Sequence, residues 1–197
     1  MRTATLALFL TLGLSVQAAS PVPRPSKEFT VATPQGQQIL LSSLKGKVCV
    51  VQFLFTWCPH CQNFSKVLTQ LNAEYGPRGF QALGVAFEDD VTKDKAVSYA
   101  QQFAGFPVGV STRSSVFSYL GLSELERIGV PQIAVIDRRG VIREQSTAEG
   151  GGPLGDPAHL KPLIESLLAE GAPAKAPAKG GDTKKTSEKK TADKKTS

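Results

Sequence analysis

Cys58, Pro59, His60 and Cys61 follow a run of apolar residues, with Trp57 immediately before them. A catalyst of disulfide exchange needs an accessible thiolate and a second thiol close enough to resolve the mixed disulfide that the first one forms. Two cysteines at this spacing supply both when the motif opens a helix. Cys58 then falls at the N-cap or in the first turn, where unpaired N–H groups and the helix dipole stabilise negative charge and lower its pKa. Cys61 lies almost one turn further on, partly buried, and can strike the Cys58 sulfur of an adduct. Pro59 suits the first turn, where its missing N–H is not needed. His60 adds an imidazole that can donate to the Cys58 thiolate, and Trp57 offers an apolar edge to a protein substrate.

Other chemistries fit these residues less well. The chain has three cysteines and two histidines, His60 and His159. A zinc site would lack its remaining ligands, so no metal is expected, and the pair calls for no cofactor. A structural disulfide closing so short a loop would constrain the unfolded chain little. Cys49, inside the apolar run, reads as an inert small apolar side chain. His159, alone on a terminal helical segment, reads as a surface residue.

The elements that must hold the motif can be read on either side of it. Residues 48–55 are almost continuously apolar and suit a central strand buried on both faces. Phe64, Val67, Leu68, Leu71 and Tyr75 then repeat at helical spacing until Gly76-Pro77 stops the helix. The pattern predicts a strand over 80–87, a helix over 91–104, a short strand over 107–110, a short helix over 114–120 and a long strand over 132–136. Residues 137–140 turn the chain into a hairpin strand over 141–146, and Asp156-Pro157 opens a last helix with Leu160, Leu163, Ile164, Leu167 and Leu168 on one face. Upstream, residues 29–32 and 38–41 flank a turn and form a hairpin. Alternating strands and helices predict an α/β fold, a mixed sheet with helices on both faces.

The stretch Val50-Val51-Gln52-Phe53-Leu54-Phe55-Thr56-Trp57-Cys58-Pro59-His60-Cys61 resembles the active-site strand of the thioredoxin superfamily. With Leu44-Lys45-Gly46-Lys47 before it, and Gly129-Val130-Pro131 and Ile136-Asp137-Arg138-Arg139-Gly140 after it, the chain resembles the exported TlpA/ResA-like disulfide reductases over about residues 27–170. The resemblance implies a thioredoxin-like three-layer fold with a mixed central sheet, an N-terminal β-hairpin and an inserted αβ unit. It makes Cys58 the nucleophile, Cys61 the resolving cysteine and Pro131 a cis-proline facing them. The backbone at Val130 could then pair with an extended substrate strand. The partners implied are protein thiols or disulfides and a membrane-bound electron-transfer partner, the enzyme itself being a monomer that binds no nucleic acid.

Two departures matter. Thioredoxins generally carry a buried aspartate six positions before the first cysteine, where Gln52 stands here. The ResA-like reductases usually place a glutamate three positions after the second cysteine, where Phe64 stands. Deprotonation of the resolving thiol must therefore use water, His60 or a group such as Glu88 or Asp89, and the last two read as ordinary loop charges after a strand. Pro59-His60 is also the dipeptide of the oxidising DsbA-type enzymes. A stabilised thiolate raises the reduction potential, from about −270 mV for thioredoxin toward about −120 mV for DsbA. The expected activity is protein disulfide reduction. The alternatives are a DsbA-type oxidant, a metal- or haem-maturation thiol chaperone, and a peroxiredoxin, whose usual Pro-x-x-x-Thr-x-x-Cys pattern Gln52 and Thr56 do not supply.

Residues 1–19 read as an export signal, with Arg2 ahead of an apolar stretch and small residues at Ala18 and Ala19; an uncleaved anchor is the alternative. Export to the periplasm or cell envelope also suits a working disulfide pair. Residues 20–27 form a proline-rich linker, 28–170 the thioredoxin-like domain and 171–197 a disordered Lys/Ala/Pro-rich tail. Eight lysines against Asp182, Glu188 and Asp193 give that tail a charge of +5, and Arg2 supplies the rest of the net +6. The folded part is neutral, so the basic balance describes a tail and carries no sign of nucleic-acid binding.

Overall fold

Val48–Leu54 forms the central strand β4 of a computed structural model that describes residues 21–170, and all seven of its residues are buried. The expected export signal and lysine-rich tail lie outside the described residues. Strand β5 (Phe80–Ala86) runs parallel to β4 on one side, and β7 (Gln132–Ile136) runs antiparallel on the other. Beyond β5 come β6 (Val108–Val110) and the hairpin β2 (Thr30–Ala32) and β3 (Gln38–Leu40). Beyond β7 come β8 (Val141–Gln145) and β1 (Arg24–Pro25). The eight strands form one mixed sheet in the order β1-β8-β7-β4-β5-β6-β2-β3.

The pleat of β4 divides the core. Val48, Val50 and Leu54 pack with helices α1 (Pro59–Tyr75), α2 (Lys93–Phe103) and α4 (Pro157–Ala169). Cys49, Val51 and Phe53 point the other way, into a cluster with Phe29, Val31 and α3 (Arg113–Leu120). This is the thioredoxin-like three-layer arrangement, with its N-terminal hairpin and an α2–β6 insertion. Element ends fall within two residues of the sequence pattern. Helix α2 starts late because Thr92 caps it, its hydroxyl accepting the Lys95 N–H at 3.2 Å.

One segment differs. The proline-rich stretch read as a linker supplies edge strand β1, in which Arg24 and Pro25 pair with Ile142 and Val141. The Arg24 guanidinium donates to the Tyr119 carbonyl at 3.1 Å and to Gln145 Oε1 at 2.6 Å, and Ser26 N–H donates to Gly140 O at 2.8 Å. Prolines forbid a helix here but are tolerated on a sheet edge.

Candidate active site

Strand β4 delivers the chain to the start of α1, and Cys58 is the residue at the junction. Its backbone is extended and its sulfur stands where a capping oxygen stands in other helices, accepting the Cys61 N–H at 3.4 Å. Pro59 is the first helical residue, so the turn loses no hydrogen bond. The Cys58 N–H donates to Phe55 O at 3.1 Å, and Gln62 Nε2 donates to Thr56 O at 3.0 Å; together they fix the turn. Cys58 is 6% exposed, and Cys61 is fully buried behind it. Burial pushes the Cys61 thiol well above its ordinary range; the Phe55 N–H works against that, and Cys58 and Glu88 add to it. Trp57 is 65% exposed, its ring 5.4 Å from that of Phe55. His60 is exposed on the first turn of α1, and no hydrogen bond joins it to Cys58 among those of the described residues.

Across from the pair, the Val130–Pro131 peptide is cis, and Cys58 Sγ lies 3.7 Å from Val130 O. A loop absent from the sequence reading backs this segment. Gly129 N–H donates to Ala148 O at 2.8 Å and Gly151 N–H to Pro131 O at 2.7 Å. Gln132, buried, donates from Nε2 to Gly129 O at 2.8 Å and to Thr147 O at 3.0 Å. The backbones approach so closely that a Cβ on Gly129 would stand 2.0 Å from Glu149 O. The run Gly150-Gly151-Gly152, all at positive φ, was the available signal for this loop. Between α1 and the loop lies a cavity of about 410 Å³, lined by His60, Phe64, Val67, Val130, Pro131 and Glu149 among others.

Four polar side chains sit behind the cysteines, three of them in one chain of hydrogen bonds. Gln52, on the α1 face of β4, donates to the Cys61 carbonyl at 2.9 Å. Ser65 Oγ donates to Gln52 Oε1 at 2.7 Å and lies 2.7 Å from Tyr99 Oη. Ser65 has one proton, so Tyr99 must donate to it, and three neutral groups form a directed chain ending at Cys61. Glu88 corrects the sequence reading: it is not an ordinary loop charge. It is 5% exposed, whereas Asp89 is exposed as expected. Its Oε1 accepts the Thr56 N–H at 3.1 Å and is also bonded to the Thr56 hydroxyl, while its Oε2 is buried without a partner among the described residues.

The remaining sequence candidates lie away from this site. Burial raises the Cys49 thiol to about 12, in keeping with an inert core residue. A smaller cavity of about 210 Å³ beside Cys49 lies at the far end of β4. His159 is exposed and lies 2.8 Å from Glu144 Oε2. Among the described residues no cluster of three His, Cys, Asp or Glu side chains could hold a metal ion.

A family model described as AhpC/TSA matches residues 22–145. The chain is 26% identical over 127 residues to "Thiol-disulfide oxidoreductase ResA" of Bacillus anthracis, covering 64% of this chain and 69% of that protein. It is 30% identical over 128 residues to "Thiol:disulfide interchange protein DsbE" of Escherichia coli, covering 65% of this chain and 64% of that protein. Among solved structures, a putative protein disulfide isomerase from Bacteroides thetaiotaomicron superposes with a TM-score of 0.63 at 22% identity, over 80% of this chain and 96% of that one. A putative DsbE from Chlorobium tepidum superposes with a TM-score of 0.58 at 23% identity, over 75% and 95%. At those identities the structural likeness speaks for the fold.

Proposed function

The chain belongs to the AhpC/TSA family, and from that premise we propose that it is an exported thiol–disulfide oxidoreductase that reduces disulfides in proteins through the Cys58–Cys61 pair. The observation that carries this reading is the junction of β4 and α1. There the Cys58 sulfur accepts a helix-start N–H beside the Val130 carbonyl, with a second thiol buried behind it.

The chemistry follows from that arrangement. The Cys58 thiolate attacks a substrate disulfide, forms a mixed disulfide and releases the first substrate thiol. Cys61 then attacks the Cys58 sulfur, which releases the second thiol and leaves the pair oxidised. A membrane-bound donor returns two electrons. The cavity beside Val130 and Pro131 suits an extended segment of client backbone, and exposed Trp57 adds apolar contact at its entrance. Export rests on residues 1–19; no helix among the described residues is long and apolar enough to cross a membrane.

The test is a pair of variants. Cys58→Ala abolishes disulfide reduction, and Cys61→Ala accumulates mixed disulfides with client proteins. Turnover that survives Cys58→Ala would end the proposal. Pro59-His60 favours a second reading, an oxidant that forms disulfides. Equilibration of the purified protein with glutathione or dithiothreitol decides between them. A potential near about −270 mV supports the reductase, and one near about −120 mV the oxidant.

A further inference from the structure

A resolving thiol that is buried and held in its protonated form cannot attack until it loses a proton. The side of Cys61 that faces β4 offers no base. Gln52, Ser65 and Tyr99 use their hydrogen-bonding groups on one another and on the Cys61 carbonyl. The opposite side differs. Phe55 presents its N–H toward the Cys61 sulfur. The next residue, Thr56, gives both its N–H and its hydroxyl to Glu88 Oε1. The carboxyl group is thus anchored one residue away from the amide that faces the reacting thiol. Its second oxygen is withdrawn from solvent and has no hydrogen-bond partner among the described residues. No Lys, Arg or His forms an ion pair with Glu88 among the described residues; Cys61 on α1 feels the charge of Glu88 and of Cys58 at the head of that helix, and Tyr99 on α2 feels both cysteines. Buried polar atoms left unmatched are rare in native proteins and destabilise them, which makes a task for the open oxygen the economical explanation.

We propose that Glu88 takes up the proton of Cys61 in the resolving step, and, through Thr56, positions the 55–57 turn against which that step occurs. This rests on the oxidoreductase reading above. The step balances as follows. The Cys61 S–H bond breaks and its proton passes to the Glu88 carboxylate. A bond forms between the Cys61 and Cys58 sulfurs. The bond between Cys58 and the substrate sulfur breaks, and the leaving sulfur takes the electron pair and a proton from solvent. The cysteine pair is oxidised by two electrons and the substrate disulfide is reduced. A carboxylate at this place substitutes for the acids that Gln52 and Phe64 fail to supply.

The experiment follows reduced full-length protein reacting with 5,5′-dithiobis(2-nitrobenzoate) in a stopped-flow instrument. The first chromophore released reports attack by Cys58, and the second reports resolution by Cys61. Glu88→Gln keeps an oxygen to accept the Thr56 N–H but cannot take a proton. It leaves the first phase within about twofold and slows the second at pH 7 by at least about tenfold, in the range of general-base effects. The deficit shrinks as pH rises and hydroxide replaces the base. Glu88→Asp keeps the carboxyl group and recovers part of the rate, and it carries the test if Glu88→Gln fails to fold. A second phase that Glu88→Gln leaves unchanged reduces Glu88 to a structural anchor. A faster one means that its charge only repels the Cys61 thiolate. Either result overturns the proposal. Failure of the oxidoreductase reading looks different, since the wild-type protein would then show no second phase at all.

Discussion

Two carboxyl groups are withdrawn from water at opposite ends of the sheet, and the protein treats them differently. Asp137, at the turn after β7, is 4% exposed; Glu88, after β5, is 5% exposed. Asp137 accepts the N–H groups of Arg139 at 2.9 Å and Val141 at 3.0 Å, and the guanidinium groups of Arg139 and Arg143 at 3.2 and 3.3 Å. Burial alone would push its carboxyl up, but those hydrogen bonds together outweigh it and hold the group below the usual carboxylate range. Among the described residues Glu88 has Thr56 alone on one oxygen and nothing on the other. Equal burial therefore says little about role, and the state of the hydrogen bonds says more. A fully matched acid fastens a turn, whereas a half-matched one beside a redox pair keeps capacity for a proton.

The largest expected effect is on the matched side. Asp137→Ala strands two partly buried backbone N–H groups and the Arg139 and Arg143 guanidinium groups, and costs about 2–3 kcal/mol of stability. Urea unfolding of the reduced protein measures it, and the rate at which Cys58 attacks a disulfide stays unchanged in the folded variant. Glu88→Gln shifts stability by less than about 1 kcal/mol, because the amide oxygen still serves Thr56. The reverse order of stabilities would break the comparison.

Acid sharpens it next. Asp137 has a folded-state pKa below its ordinary value of 3.8. Its contribution is present above the unfolded pKa and is lost as pH falls through the lower folded value. Wild-type stability should drop more between pH 5 and pH 3 than that of Asp137→Asn, which keeps an accepting oxygen but cannot ionise. Parallel pH curves would mean that the charge contributes nothing.

The same contrast explains what could be read from the residues beforehand. The strand over 48–54, the helix after it and the thiol pair were visible because apolar spacing and the Cys-x-x-Cys motif are local signals. Asp137 announced itself as part of a turn, Asp-Arg-Arg-Gly. Glu88 did not, because Glu88, Asp89 and Asp90 are three acids in a row and only contact with Thr56, 32 positions earlier, buries the first and not the others. Gln52 read as a missing acid. That it closes a neutral chain depends on Ser65 and Tyr99, which arrive on two different helices. Strand β1 was hidden for the same reason, since Arg24 finds its partners 95 and 121 residues away.

The thiols follow the ends of the sheet as the acids do. Cys61 belongs to the Glu88 end and Cys49 to the Asp137 end, and burial raises both. Iodoacetamide at pH 8 should alkylate Cys58 at least about tenfold faster than either, because Cys58 is the most exposed of the three and has a helix-start N–H at its sulfur. Peptide mapping by mass spectrometry reads the ratio. Once Cys58 carries a disulfide adduct, Cys61 should react with it and Cys49 should not. Prompt labelling of Cys49 would mean that the far end of β4 opens as readily as the active-site end.

The smallest effect tests the neutral side of Cys61 against the charged one. Tyr99 donates to Ser65, Ser65 to Gln52 and Gln52 to the Cys61 carbonyl, so removing the first hydroxyl leaves one buried acceptor on Ser65 unmatched. Tyr99→Phe should cost about 1 kcal/mol. It should leave the resolving step at its wild-type rate across pH 6 to 9, because the chain holds the Cys61 backbone and moves no proton. Burial pushes the Tyr99 hydroxyl above the ordinary tyrosine range, so it stays protonated and offers no tyrosinate to accept a proton. Stopped-flow release of the second chromophore provides the rate, and urea unfolding provides the stability. If Tyr99→Phe slowed resolution as much as Glu88→Gln does, protons would be leaving Cys61 through both sides, and the division between a holding network and an accepting carboxylate would fail.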